Sequence, residues 1–226
     1  MLCTLLPNRL SDDPERLRSN GSEKMKSEKI VIKAESLFSD DGIHRYNLRK
    51  EWDKALPTAT VISISPSGLS NVSADLTTQL ITNNVEALGF GSFELLNLYS
   101  KVGVDVKKIK DPIGLWDETT DACIKASCDK TFKSDNGKII FAWGKLAENN
   151  KKHGEREKQV LSLLSIYFEK VYCIKDYGIR HFLHPLTPSV RNEWVLESWK
   201  DYRGYKTEEL KAIDDREQKK LIPESV

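Results

Sequence analysis

The sequence predicts an α/β fold: a four-stranded, mainly parallel sheet with helices on both faces, preceded by an antiparallel hairpin. Three observations predict it. Four short runs rich in β-branched and aromatic residues, at 60–64, 93–99, 139–143 and 171–174, are nearly continuous in apolar character, as strands buried on both faces are. The stretches between them carry apolar residues at helical spacing, and strands that alternate with helices pair in parallel through crossovers. The chain has 226 residues, 39% hydrophobic and 31% charged, which suffices for one such core and not for two ordinary enzymatic domains.

The elements follow in order. Residues 1–28 mix Ser, Asn, Asp, Glu, Lys and Arg with no apolar period, the composition of a polar tail that buries too little surface to order itself. A single domain is expected over 29–200. Its front is Ile30, Ile32, Leu37 and Phe38, then Asp41-Gly42, then Ile43, Tyr46, Leu48 and Trp52; an Asp-Gly pair between two such runs signals a hairpin, since glycine accepts the positive φ of a tight turn. After Pro57 the run 60–64 is the first parallel strand. Residues 76–88, with Leu80, Ile81, Val85 and Leu88 near helical spacing and Gly89 behind them, form its crossover helix. Residues 93–99 are the second strand, and 117–132 a helix with Ala122, Cys123, Ala126 and Cys128. The third strand, 139–143, is closed by Gly144; a helix over 155–168 puts Val160, Leu163, Leu164 and Tyr167 on one face, and 171–174 is the fourth strand. Residues 201–226 are a charged C-terminal tail or helix, with Leu210 and Ile213 in a charged run.

Composition excludes several classes. Lys and Arg number 35 against 34 Asp and Glu, so any grip on nucleic acid has to come from a local patch. No apolar stretch approaches the roughly 18 residues of a membrane span, and residues 2–6, followed by Pro7, are too short for a signal peptide. The expectation is a cytoplasmic protein with no membrane partner. Cys3, Cys123, Cys128 and Cys173 lack paired metal-ligand spacings and read as idle thiols in a reducing compartment. His181 and His184 lie three apart, but Pro185 and the absence of a neighbouring carboxylate cluster argue against a metal pair. No P-loop, GxGxxG, GxSxG or HExxH pattern occurs, and no metal or organic cofactor is expected.

Ligands in parallel sheets bind at the carboxyl ends of the strands. Those ends read Ser65-Pro66-Ser67-Gly68, Asn97-Leu98-Tyr99, Trp143-Gly144, and Arg180-His181 with His184-Pro185-Leu186. Ser65 to Gly68 is either a plain turn or a backbone cradle for a phosphate or base. Asn97, between two leucines in a buried strand, either satisfies neighbouring backbone or faces a ligand, and its amide offers the donor and acceptor that suit a nucleobase edge. His184 is placed to donate to charge developing on a leaving group. Asp75, before Thr77 and Thr78, is either a helix-start carboxylate or a site residue.

Taken in order, His44-Arg45-Tyr46-Asn47-Leu48-Arg49 with Trp52, Ser65-Pro66-Ser67 with Asp75 and Thr77, Asn97-Leu98-Tyr99, Ala142-Trp143-Gly144, and Arg180-His181 with His184-Pro185-Leu186 resemble a bacterial and phage family of domains of unknown function over about residues 30–190. In that family the corresponding pattern is RY.L.R.W, NPS, DPT, NL, AWG and PRHPL. The same series more distantly resembles the uracil-DNA glycosylase superfamily, through Glu94-Leu95-Leu96-Asn97, Phe141-Ala142-Trp143-Gly144 and His184-Pro185-Leu186. That resemblance implies a three-layer α/β/α, uracil-DNA glycosylase-like domain that flips a base from DNA and cleaves its N-glycosidic bond. It implies catalytic roles for His184, Ser65 and Asp75, and a base pocket of Asn97, Pro66, Ser67 and Tyr99. Lys145, Arg180, His181, Pro185 and Arg191 would contact DNA, on an edge made locally basic by Lys170, Lys175, Lys200, Arg203 and Lys206. The protein would act as a monomer with DNA as its partner.

One position departs from that pattern. Before Pro66 the superfamily carries Asp or Asn, and here Ser65 can position a water without supplying a carboxylate, leaving Asp75 as the nearest substitute. A small Ser65 also leaves room for a bulky modified base, which fits a defence enzyme acting on phage DNA. The alternatives are a non-catalytic DNA or nucleobase reader of the same fold and an enzyme acting on free modified nucleotides.

Overall fold

The computed structural model describes residues 27–68, 73–146, 150–176 and 182–201. The chain divides into a unit of Met1–Ile30 and a unit of Val31–Val226; the second holds every helix and strand described below. The expected tails, 1–28 and 201–226, fall almost wholly outside the described residues.

The strands are Lys33–Phe38 (β1), Arg45–Glu51 (β2), Thr58–Ser63 (β3), Ser92–Asn97 (β4), Lys138–Phe141 (β5), Val171–Lys175 (β6) and Val195–Ser198 (β7), in one sheet of order β1-β2-β4-β3-β5-β6-β7. Neighbours β4, β3, β5 and β6 pair in parallel. The pairs β1–β2, β2–β4 and β6–β7 are antiparallel. The expectation of a four-stranded sheet behind a hairpin is corrected to a seven-stranded mixed sheet. Parallel strands alone would leave two rows of unpaired backbone groups. Here β2 covers β4, from Leu48 opposite Leu95 to Glu51 opposite Ser92, and β7 covers β6. The hairpin is thus one margin of the sheet, with Gly42 at φ +72° in its turn.

The helices are Leu76–Ala87 (α1), Glu118–Lys133 (α2) and Lys151–Leu163 (α3), the last followed by a 3-10 stretch, Ser165–Lys170. Asp75 caps α1 by accepting the N–H of Thr78, and Asp117 and Thr120 form a reciprocal capping box on α2. α3 starts four residues before the expected position, because the Asn150 side chain accepts the N–H groups of Lys152 and His153 and so opens the helix on a polar turn that apolar spacing does not reveal.

Alternation along the central strands builds two cores. Ala59, Val61, Phe93, Leu95 and Ile140 pack with Ile81 and Val85 of α1. Ile62, Leu96, Ile139 and Phe141 pack on the other face with Ile124 and Cys128 of α2 and Val160 of α3. Helices therefore cover both faces. Among the described residues no helix is long and apolar enough to cross a membrane.

One irregularity redirects a side chain. Leu37 pairs with Asn47 but Phe38 pairs with Arg45, so Tyr46 is an extra residue in β2. Asn47 and Arg49 reach Glu94 at 3.4 and 3.1 Å, on the face where Lys130 of α2 also meets that carboxylate at 2.7 Å. Strict alternation would send Arg45 to the same side. The bulge instead turns Tyr46 to the α2 side, where its hydroxyl donates to Asp117 at 2.8 Å, and brings Arg45 round to the α1 side.

Candidate functional site

The carboxyl ends of β3 and β4 and the start of α1 enclose a cavity of about 540 Å³. Ser63 and Asn97 stand side by side in its floor as the last paired residues of β3 and β4. Ser65, Pro66 and Ser67 form one wall, Asp75, Leu76, Thr77 and Thr78 another, and His184 and Leu186 close it from the loop after β6. Gly103 to Lys107 complete the lining, held by the Gly103 N–H donating to the Pro66 carbonyl at 3.3 Å.

Asn97 is 3% exposed, and its amide nitrogen has no hydrogen-bond partner among the described residues. A donor buried in that state costs about 1–3 kcal/mol, which a ligand's acceptor would recover. Its neighbours on the strand explain its aim: Leu95 on the same face packs on α1, and Leu96 and Leu98 on the other pack under α2 and α3.

His184 Nδ1 accepts the backbone N–H of Leu186 at 3.1 Å. That bond leaves the proton on Nε2, as a donor. Burial, with the nearby charge of Lys107, brings the imidazole pKa down to about 4 against the opposing pull of Asp75, so the ring is neutral at pH 7. Gly144, the last residue of Ala142-Trp143-Gly144, packs directly on the backbone of His184. Arg191 donates its Nε–H to the Leu186 carbonyl at 2.9 Å, and Asn84 of α1 donates to the Arg191 carbonyl at 3.1 Å. The loop that carries His184 is thus tied to α1.

Asp75 serves as both cap and cavity wall. Burial raises its pKa, but the Thr78 N–H at 2.9 Å, the Ser67 hydroxyl, the Thr78 hydroxyl at 2.9 Å and the charge of Arg45 outweigh that and hold it below the ordinary carboxylate range. It is ionised at neutral pH. Arg45 lines the same cavity, 4% exposed, with its backbone N–H on the Ser100 carbonyl and its buried Nε without a partner among the described residues.

Of the residues expected in the site, the structure brings together His184, Ser65, Asp75, Asn97, Pro66 and Ser67. Tyr99 does not line this cavity: it lies wholly buried on the other face, its hydroxyl 2.6 Å from Nδ1 of His153. Lys145 lines a second cavity of about 630 Å³, with Trp143, Gly144, Phe182 and Thr187. The two cavities share Ile64, Lys107 and His184, so His184 stands between them. Pro185 is buried behind the loop, and Arg180 and His181 lie outside the described residues. Arg45 and Lys107 were not anticipated. Arg45 belongs to the Arg-Tyr of the sequence pattern, but only the bulge shows where it points.

A family model described as "Protein of unknown function (DUF1643)" matches residues 45–186. No curated protein and no solved structure matches the chain. The matched stretch opens on Arg45 and closes on Leu186, the first and last residues that line the cavity. The chain belongs to the DUF1643 family, and the stretch that carries the family's pattern is the stretch that builds this cavity.

Proposed function

We propose that the protein is a DNA glycosylase, which takes a flipped nucleotide into the cavity at the strand ends and hydrolyses its N-glycosidic bond, leaving an abasic site. The observation that carries the reading is the meeting in one cavity of a buried, unsatisfied amide (Asn97), a neutral imidazole that presents Nε2–H (His184) and an ionised carboxylate (Asp75). The order of these residues along the strand ends, similar to that of the uracil-DNA glycosylase superfamily, supports it.

The chemistry follows from the three groups. Asn97 donates to an acceptor on the base edge and fixes its orientation. As the bond from C1′ to the base nitrogen breaks, its electron pair leaves with the base, and His184 donates from Nε2 to the oxygen on which negative charge grows. A neutral donor suits this role because it needs no proton taken up from solution. Asp75 balances positive charge on the sugar and accepts the proton of the attacking water, whose oxygen bonds to C1′. Ser65 and Ser67 offer hydroxyls to hold that water. Ser65 thus yields the carboxylate's role to Asp75, and its small side chain leaves width for an enlarged base.

The test is an abasic-site assay on DNA carrying uracil, deaminated purines, and hydroxymethylated or glucosylated pyrimidines. Release from at least one substrate, abolished by His184→Ala and reduced by about 10- to 100-fold by Asn97→Ala, is expected. Binding of DNA with no release from any substrate would replace the enzyme by a non-catalytic reader. Release from free nucleotides without DNA affinity would move the substrate to the nucleotide pool.

A further inference from the structure

We infer that Arg45 binds the phosphate of the substrate, so that the cavity takes a nucleotide unit, base and phosphate together, rather than a bare base or nucleoside. The inference rests on the reading of this cavity as the substrate site.

Among the described residues the Arg45 side chain makes no hydrogen bond and no ion pair, although the residue is only 4% exposed. A guanidinium withdrawn from water without a partner is costly, and arginines that buried are ordinarily paired. The other buried arginine among the described residues shows the ordinary solution: Arg156 makes two bonds to Asp121 at 2.6 and 3.1 Å and a third to the Leu98 carbonyl at 2.9 Å. Asp75 does not do the same for Arg45. Its oxygens accept from the N–H and hydroxyl of Thr78 and from Ser67, and it acts on Arg45 through its charge, with no hydrogen bond or ion-pair contact between them among the described residues.

The backbone supplies a second, independent observation. The extra residue Tyr46 in β2 is what turns Arg45 out of the polar cluster around Glu94 and into the cavity. Without the bulge, Arg45 would join Asn47 and Arg49 on that carboxylate. A neutral base edge would give the guanidinium hydrogen bonds but no countercharge. A phosphate gives both, because two of its oxygens match the planar fork. The start of the twelve-residue α1, through Leu76 and Thr77, and Lys107 line the same space and offset the charge of Asp75 there. Asn97, with its free donor, sits in the same floor, so the base and phosphate positions adjoin.

The phosphate belongs either to the DNA backbone or to a free nucleotide, and the experiment separates them. The full-length chain is titrated with deoxyribose, with deoxyribose 5-phosphate and with an oligonucleotide containing one tetrahydrofuran abasic residue, for the wild type, Arg45→Met and Arg45→Lys. The phosphate-bearing probes are expected to bind more tightly than deoxyribose and to lose about 10- to 100-fold in affinity with Arg45→Met. Arg45→Lys, which keeps the charge without the fork, is expected to fall between. Arg45→Met is also expected to melt no lower than the wild type in phosphate-free buffer, since it removes an unpaired charge. Loss confined to the oligonucleotide assigns the phosphate to DNA; loss with the sugar phosphate as well admits free nucleotides. Wild-type affinity of both variants for both phosphate probes, or wild-type binding of neither phosphate probe more tightly than deoxyribose, overturns the inference. If Arg45→Met does not fold, Arg45→Lys alone is read by the same criterion.

Base release is scored separately. Phosphate binding that depends on Arg45, with no base released from any DNA, removes the glycosylase reading and leaves this inference standing. Base release by Arg45→Met at an unchanged KM does the reverse.

Discussion

Gly144 lies so close to His184 that a side chain on it would press on the histidine. A Cβ on Gly144 would stand 3.0 Å from the backbone nitrogen and 3.1 Å from the Cβ of His184, and Gly144 itself has φ +63°. The glycine that ends Ala142-Trp143-Gly144 therefore sets where the imidazole stands. Gly144→Ala is expected to cost about 1–2 kcal/mol through the left-handed backbone alone and, by pushing His184 a few tenths of an ångström, to lower base release by less than the about 100-fold of a full 1 Å displacement. Thermal melting and single-turnover release separate the two. Full release by a folded Gly144→Ala protein would mean that the position of His184 does not matter.

The two roles of Asp75 separate by substitution. Asparagine caps a helix about as well as aspartate, so Asp75→Asn should keep the cap and lose only the stability that the carboxylate's charge draws from Arg45 and its donors. It removes the charge, and base release should fall by about 10²- to 10⁴-fold. Asp75→Ala should lose the cap as well, at about 1 kcal/mol. An active Asp75→Asn protein would reduce Asp75 to a cap.

The parallel strands and the residues at their ends were legible because buried strands leave runs of apolar residues and strand ends collect polar ones. β7 was not, since Val195 is exposed, the other three residues of Val195–Ser198 are half-buried, and the strand shows no period. The role of Arg45 was hidden for a different reason. Alternation assigns it to the face of Glu94, and a bulge at Tyr46 has no local mark, since neither Gly nor Pro stands there. Tyr99 illustrates the converse. The likeness to uracil-DNA glycosylases implies a pocket shared with Asn97, whereas the backbone turns Tyr99 to the opposite face.

His184 gives the pH dependence its sign. Its pKa in the folded protein is about 4, below the ordinary 6.5, because burial disfavours the charged ring. The folded state thus binds the proton less readily than the unfolded chain, and this contribution to stability is complete above pH 6.5 and lost as pH falls toward 4. Base release governed by a neutral His184 should pass through pH 6.5 without a step and decline only near pH 4. The His184→Ala protein should melt with a weaker dependence on pH between 4 and 6.5. A step in release at 6.5 that tracks His184 would mean an exposed ring that acts as a cation.

Tyr99→Phe separates stability from function at a position beside the site in sequence and away from it in space. His153 donates from Nε2 to the Ile109 carbonyl at 3.0 Å, so its Nδ1 is the acceptor and the Tyr99 hydroxyl the donor, at 2.6 Å. Burial raises the Tyr99 pKa, which keeps that hydroxyl protonated. Phenylalanine keeps the edge contacts with Trp116 and His153 but leaves Nδ1 buried without a donor, a loss of about 1–3 kcal/mol. Denaturant unfolding should show that loss while kcat and KM for base release, measured well below the melting temperature, stay at wild-type values. A rise in KM with kcat intact would place the Tyr99 hydroxyl on the substrate, by way of a movement of the segment between Asn97 and Ser100 that brings its ring round from the α2 face.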